Sequence, residues 1–229
     1  SDSGGSISPG CQRPSKICFD GAGNLYILDE RKSNIQKFTE AGAFGGVLPV
    51  GPDVAGGLKD VEDVVFRNGE LYLLDGKRKL VFALSPDGLL QAIIPLALPD
   101  ARLSKRWKPA HLCVDDSGYV YVSNPRSYII YKFDSEGRFV QELGGKGKEP
   151  GQLGKIADIA VDGRGVLFVL LGDRKAISAF NENGSFRTEI SLLVKEEISL
   201  KKPELLAVDS IGSLYIFDDY YKSVFKFMQ

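Results

Sequence analysis

Apolar residues in this chain come in short runs of about four to seven, each bounded by Gly, Asp, Asn or Ser, and inside many runs apolar and polar positions alternate, as in KICFD, NLYILD, NIQKFTE and FGGVLPV. Runs this short, with a period of two and rich in Val, Ile, Tyr and Phe, predict β-strands rather than helices. The pattern then repeats. Five segments superpose: ICFDGAGNLYILD, VVFRNGELYLLD, LCVDDSGYVYVSN, IAVDGRGVLFVLL and LAVDSIGSLYIFD. The residue closing the first run is Asp20, Arg67, Asp115, Asp162 and Asp209, in steps of 47, 48, 47 and 47. Three further marks keep the beat: a turn glycine (Gly23, Gly69, Gly118, Gly165, Gly212), an apolar residue (Phe38, Leu84, Phe133, Phe180, Phe227) and a second turn glycine (Gly42, Gly88, Gly137, Gly184).

Each repeat offers about four strands, called A to D in chain order, with A innermost. One four-stranded antiparallel sheet cannot bury both faces alone, so the copies must stack, and radial stacking leaves only short, protected edges. The expected fold is therefore all-β, a β-propeller of four-stranded antiparallel blades with five repeats counted. Residues 14–229 form the propeller. Because no D strand follows Phe227, residues 1–13 are either a closing strand paired with the last blade or a linker.

The repeats resemble the NHL family, whose unit runs from a Pro through an apolar strand ending in Asp, a Gly turn, an aromatic-rich strand ending in Asp, and an apolar strand ending near Phe. Pro14, Pro109 and Pro203 fit the opening, Asp29, Asp75 and Asp218 fit the second strand end, and KGKEPGQLGKIADIAVDGRG is the best single match. The departures are Asn124 and Leu171 at that strand end, and Asn34, Leu80, Ile129, Ala176 and Ser223 where the family places Arg. The resemblance implies a β-propeller, usually six-bladed, that serves as an interaction platform, and in some members an RNA-binding surface.

Composition narrows the function. The 29 Lys and Arg against 30 Asp and Glu give a net charge of -1, so any pull on nucleic acid or an anionic surface must be local. No run of 18 apolar residues exists, and no membrane insertion is expected. A single His argues against zinc sites built on several imidazoles. Cys18 and Cys113 share a strand A position where other repeats have Val65, Ala160 and Ala207, and are expected to be small packing residues; Cys11 lies outside the repeat. The compartment stays open, with the family resemblance alone leaning toward secreted or periplasmic.

Charge is expected to sort by face. In a propeller the B–C turns and the blade-to-blade crossings share one face, and here every B–C turn carries at least one base, among them Arg31, Arg78, Arg126, Lys175 and Lys222. Trp107, Tyr128, Tyr220 and Tyr221 fall in the same segments, and aromatics beside cations make up protein-binding hot spots as well as stacking surfaces for single-stranded RNA. A second candidate site lies four residues before the end of strand A, where a closed ring would bring Lys16, Asp63, His111 and Asp158, with Leu205, to the channel mouth. Such a set could bind a divalent metal or act as acid and base, or simply satisfy neighbouring polar groups. The sequence thus favours a non-catalytic scaffold without cofactor, binding a protein or peptide of acidic surface or another domain of a longer parent chain. The alternatives are a metal-assisted, lactonase-like hydrolase at the channel mouth and single-stranded RNA binding on the basic face.

Overall fold

The computed structural model describes residues 10–51, 54, 58–100, 106–192, 200–209 and 211–227. It divides into two compact units, residues 1–94 with the first two repeats and residues 95–229 with the other three. Each repeat folds into one antiparallel sheet with strands in chain order. The first holds β1 (Pro14–Phe19), β2 (Leu25–Asp29), β3 (Asn34–Phe38) and β4 (Phe44–Val47), and the second β5 (Val61–Arg67), β6 (Glu70–Asp75), β7 (Leu80–Leu84) and β8 (Leu90–Pro95). The third comprises β9 (Leu112–Val114), β10 (Val120–Asn124), β11 (Ile129–Phe133) and β12 (Phe139–Gly144), and the fourth β13 (Ile156–Val161), β14 (Leu167–Leu171), β15 (Ala176–Phe180) and β16 (Phe186–Ser191). The fifth has three strands among the described residues: β17 (Pro203–Val208), β18 (Leu214–Asp218) and β19 (Ser223–Phe227).

The turns explain why the chain reverses where it does. At the A–B turn the carboxylate closing strand A accepts two backbone N–H groups: Asp20 from Ala22 and Asn24 at 2.9 and 2.8 Å, Asp115 from Ser117 and Tyr119 at 3.0 and 2.9 Å, Asp162 from Arg164 and Val166 at 2.9 Å each. Such side-chain-to-backbone bonds stand in for a turn's own hydrogen bonds. The second repeat, with Arg67 in place of Asp, makes a two-residue hairpin at Asn68 and Gly69, both left-handed at φ 51° and 82°, which needs no capping carboxylate. The C–D turns are equivalent in four repeats. Gly42, Gly88, Gly137 and Gly184 have φ of 77–87°, and each N–H bonds the carbonyl three residues back at 2.8–2.9 Å.

At the end of strand B, buried Asp29 gathers four backbone N–H groups, from Gln12 and Arg13 on one side and Arg31 and Lys32 on the other. Burial works against its charge, but these four donors prevail and hold the carboxyl below the usual value. Asp218 repeats the arrangement with Lys201, Lys202, Tyr220 and Tyr221. Where Leu171 replaces the Asp, Asp173 two residues on accepts the Lys155 N–H at 2.8 Å. Residues 1–9 of the expected closing segment lie outside the described residues.

Within the first unit the apolar core runs between the two sheets, through Tyr26, Leu28, Ile35, Leu71, Leu73 and Phe82. The second unit has two such layers, one around Leu143, Ile156, Leu167 and Val169, the other around Phe168, Leu170, Ile177, Leu214 and Ile216. Burial of this apolar surface is the main force holding neighbouring sheets face to face.

Candidate functional site

The first candidate set lies on the inner strands, with His111 just before β9, and four of its five positions share an irregularity. In four repeats the A–B pairing shifts register just before the singled-out residue: between Pro14 and Lys16, Val61 and Asp63, Ile156 and Asp158, and Pro203 and Leu205. A bulge of this kind re-aims the side chain that follows it.

In the first unit Lys16 Nζ lies 3.3 Å from Asp63 Oδ1, with both side chains largely buried. Asp63 Oδ1 also accepts the Val64 N–H at 3.0 Å. Burial, reinforced by the Asp63 and Asp20 charges, pushes the Cys18 thiol up to about 12, so it is an unreactive packing group at neutral pH. In the second unit His111 Nδ1 stands 3.5 Å from Asp158 Oδ1. Asp158 Oδ1 also accepts the Ile159 N–H at 2.9 Å, and Oδ2 accepts the Leu206 N–H at 2.8 Å. The corresponding residue of the fifth repeat, Leu205, is half exposed and apolar. The His111–Asp158 pair has the donor types to hold a divalent ion or move a proton, yet both Asp158 oxygens already hold strand backbone in place.

The B–C turns carry the second set. Each is a four-residue loop whose last residue is left-handed: Ser33, Lys79, Tyr128, Lys175 and Lys222, with φ between 50° and 60°. The five predicted bases share the loop but not its position, since Arg31 and Arg126 come two residues after the strand end, Arg78 three, and Lys175 and Lys222 four. Their environments differ as well. Arg31 and Arg126 are exposed, whereas Lys175 is half buried. Arg78 is held within the first unit by Asp75 at 2.6 Å and the Val54 carbonyl at 3.1 Å, with its guanidinium 4.9 Å from the Phe82 ring centre. Lys222 pairs with Asp219, which also binds Lys202 at 2.6 Å, and these two cations hold the Asp219 carboxyl low.

The aromatics divide. Tyr220 and Tyr221 are 61% and 39% exposed, their rings 5.0 Å apart and nearly perpendicular, with Lys201 Nζ 4.8 Å from the Tyr220 ring centre. Tyr128 is half buried, 5.3 Å from Lys146 Nζ. Trp107 differs from the expected surface role: it is 5% exposed and packs edge-on to Tyr131 at 4.8 Å. An indole near a turn buries its large apolar area whenever a neighbouring strand offers a ring to pack on.

Sequence reasoning missed one recurring device. Lys132 on β11 passes over the Tyr119 ring at 3.8 Å to donate to the Glu182 carbonyl, 2.9 Å away in the C–D turn of the next sheet. In the first unit Lys37 on β3 reaches the Pro86 carbonyl in the same way. The signal was a Lys one residue before the Phe ending strand C, and it also marks Lys226.

The chain has the β-propeller fold, its five sheets being the blades. No known sequence family and no curated protein matches the sequence, but solved structures share the fold. Virginiamycin B lyase from Staphylococcus aureus aligns over 96% of this chain and 71% of its own, with 14% identity and a TM-score of 0.61. A protein of unknown function from Bacteroides caccae aligns over 90% of this chain and 70% of its own, with 12% identity and a TM-score of 0.63. A chain of the nidogen/laminin complex aligns over 92% of this chain and 74% of its own, with 15% identity and a TM-score of 0.67. These neighbours thus include an enzyme and a component of a protein complex.

Proposed function

We propose that this chain is an NHL-type propeller acting as an interaction scaffold, which binds an acidic segment of a protein or peptide through its B–C turns. The observation carrying this reading is the fifth repeat, where two exposed tyrosines, Tyr220 and Tyr221, stand beside Lys201, Lys202 and Lys222. Rigid amphipathic rings next to cations supply contact area and charge complementarity at low conformational cost. Exposed Arg31 and Arg126 offer positive charge at the equivalent turns of two other repeats. The strand-end carboxylates Asp29 and Asp218 support the NHL assignment, because they tie the incoming crossing and the outgoing turn to one buried group.

Panning a random peptide library against the intact chain tests the proposal. Enrichment of acidic peptides whose binding falls at least tenfold in Tyr220→Ala is the expected result. Failure to enrich any peptide, or saturable binding of an oligouridine probe in its place, would count against it.

A further inference from the structure

The four equivalent C–D turns span residues 39–43, 85–89, 134–138 and 181–185. In three of them the N–H of the fifth residue is held by the side chain of the first: Ala43 by Thr39 Oγ1 at 3.1 Å, Leu89 by Ser85 Oγ at 3.2 Å and Arg138 by Asp134 Oδ1 at 2.9 Å. The fourth sheet departs from this pattern. There the Ser185 N–H goes to Oδ1 of Asn183 at 3.0 Å, and the Ser185 hydroxyl donates to the same oxygen at 2.7 Å. Asn181 Nδ2 donates to that hydroxyl oxygen at 2.9 Å, which leaves the hydroxyl proton for Asn183.

Two donors on one carboxamide oxygen matter because Gly184 follows Asn183. With no side chain on Gly184, its backbone nitrogen can approach Asn183 Cγ without steric hindrance, and the two reacting groups are already joined by the chain. Attack by that nitrogen places negative charge on Oδ1, the atom that both Ser185 donors hold, and fixed donors at such distances stabilise a developing oxyanion. Asn183 is exposed, so the departing amide nitrogen is released into solvent. In the closed turn the Gly184 N–H donates to the Asn181 carbonyl at 2.8 Å, and reaction requires that bond to open.

We propose that Asn183 is a site of spontaneous modification, converting to aspartate and isoaspartate, and that the conversion loosens the seam between the third and fourth sheets. The Gly184 nitrogen bonds to Asn183 Cγ as the Cγ–Nδ2 bond breaks; the proton from the Gly184 nitrogen goes to Nδ2, which leaves as ammonia, and a cyclic imide remains. Water then opens the imide. Cleavage at the side-chain carbonyl gives aspartate, and cleavage at the backbone carbonyl gives isoaspartate, whose main chain runs through the side chain and is one carbon longer. The turn is too tightly seated for that carbon: a Cβ at Gly184 would lie 2.5 Å from Gln141 Nε2 and 2.7 Å from Leu143 Cδ2 of the third sheet. The adjoining Glu182 carbonyl accepts from Lys132 Nζ at 2.9 Å, and Lys132 is 4% exposed. Displacing that carbonyl takes a partner from a buried ammonium and so weakens the seam. The site lies at the opposite end of the strands from the B–C turns and does not depend on their binding role.

Incubation of the intact chain in neutral buffer, followed by peptide mapping with mass spectrometry, tests the proposal. Asn68–Gly69, the other Asn–Gly pair of the sequence, closes a hairpin with Asn68 itself left-handed at φ 51° and serves as the comparison. Isoaspartate should accumulate several-fold faster at residue 183 than at residue 68. Ser185→Ala, which removes one donor, should slow conversion several-fold, whereas Ser185→Thr, which keeps the hydroxyl, should leave the rate unchanged. The converted fraction carries an added negative charge and can be separated by ion exchange. Its backbone amides in β12 and β16 should exchange hydrogen faster than those of fresh protein, and incubated Asn183→Gln should show no such change. Conversion at residue 183 no faster than at residue 68, or indifferent to Ser185→Ala, overturns the proposal. So does a converted fraction whose hydrogen exchange matches that of fresh protein.

Discussion

Asp158 on β13 accepts the backbone N–H of Leu206 on β17 at 2.8 Å, so one carboxylate joins the inner strands of adjacent blades 48 residues apart. Removing it leaves a strand N–H without its partner at a buried position. Asp158→Ala should therefore cost about 2 kcal/mol, or roughly 4–8 °C in melting temperature for a chain of this size. Unchanged melting would show that the bond is dispensable.

The same pair of bonds bears on the metal-dependent alternative. With Asp158 held by Ile159 and Leu206, the expected outcome of metal analysis after equilibration with Ca, Mg, Mn and Zn is well below one ion per chain. A stoichiometric ion, lost on changing His111 to Ala, would favour the hydrolase reading over the scaffold.

Charge reversal should follow exposure rather than turn membership. Arg31→Glu, Arg126→Glu and Lys222→Glu together should slow association with an acidic partner peptide about tenfold at low salt, and added salt should shrink the difference. Arg78 does not belong in that set, because it is held by Asp75 and Val54. Exposed Asp87 and Asp116 are suitable controls, whereas Asp162 is buried and bonds Val166. If the controls slow association as much as the bases do, the B–C turns are not the binding surface.

Acid should loosen the turns. Burial opposes the charge of Asp29 and Asp209, but hydrogen bonds outweigh it, and Lys202 and Lys222 lower Asp219, so all three carboxyls sit below their ordinary value of 3.8 when folded. A depressed folded value means the stabilisation is complete above the unfolded value and is lost as pH falls through the folded one. Melting temperature should be level from pH 7 to about 5 with respect to these groups and decline below about 4. Asp209→Asn should soften that decline. A melting curve that rises with acid would contradict it.

Trp107, the single tryptophan, offers an internal reporter. Packed on Tyr131, it should emit to the blue of free tryptophan and shift red only on unfolding. Peptide binding at Tyr220 should leave the emission unchanged. A red-shifted native spectrum would mean the ring is solvent-exposed.

Much of the fold was legible along the chain because its causes are local. Alternating apolar positions mark strands by period alone, and Gly42, Gly88, Gly137 and Gly184 mark turns because only a residue free to adopt positive φ closes them at no cost. The strand-end Asp29 and Asp218 were visible for a related reason: half of their partners lie two or three residues away. The candidate site was legible only as a set of residue types. That Lys16 meets Asp63 and His111 meets Asp158 depends on how neighbouring strands A, one repeat apart in sequence, pack, and on the bulges that precede Lys16, Asp63 and Asp158.

The five-fold repeat, the strand nature of its runs and the glycine turns were determined by the sequence itself, since each rests on the conformational preferences of a few adjacent residues. Tertiary structure alone decided that Trp107 is buried, that Arg78 is bound and that Lys132 clips the next blade. In each case the deciding partner lies far away in the chain or in another strand, and packing between strands has no signature in the spacing of residues along one of them.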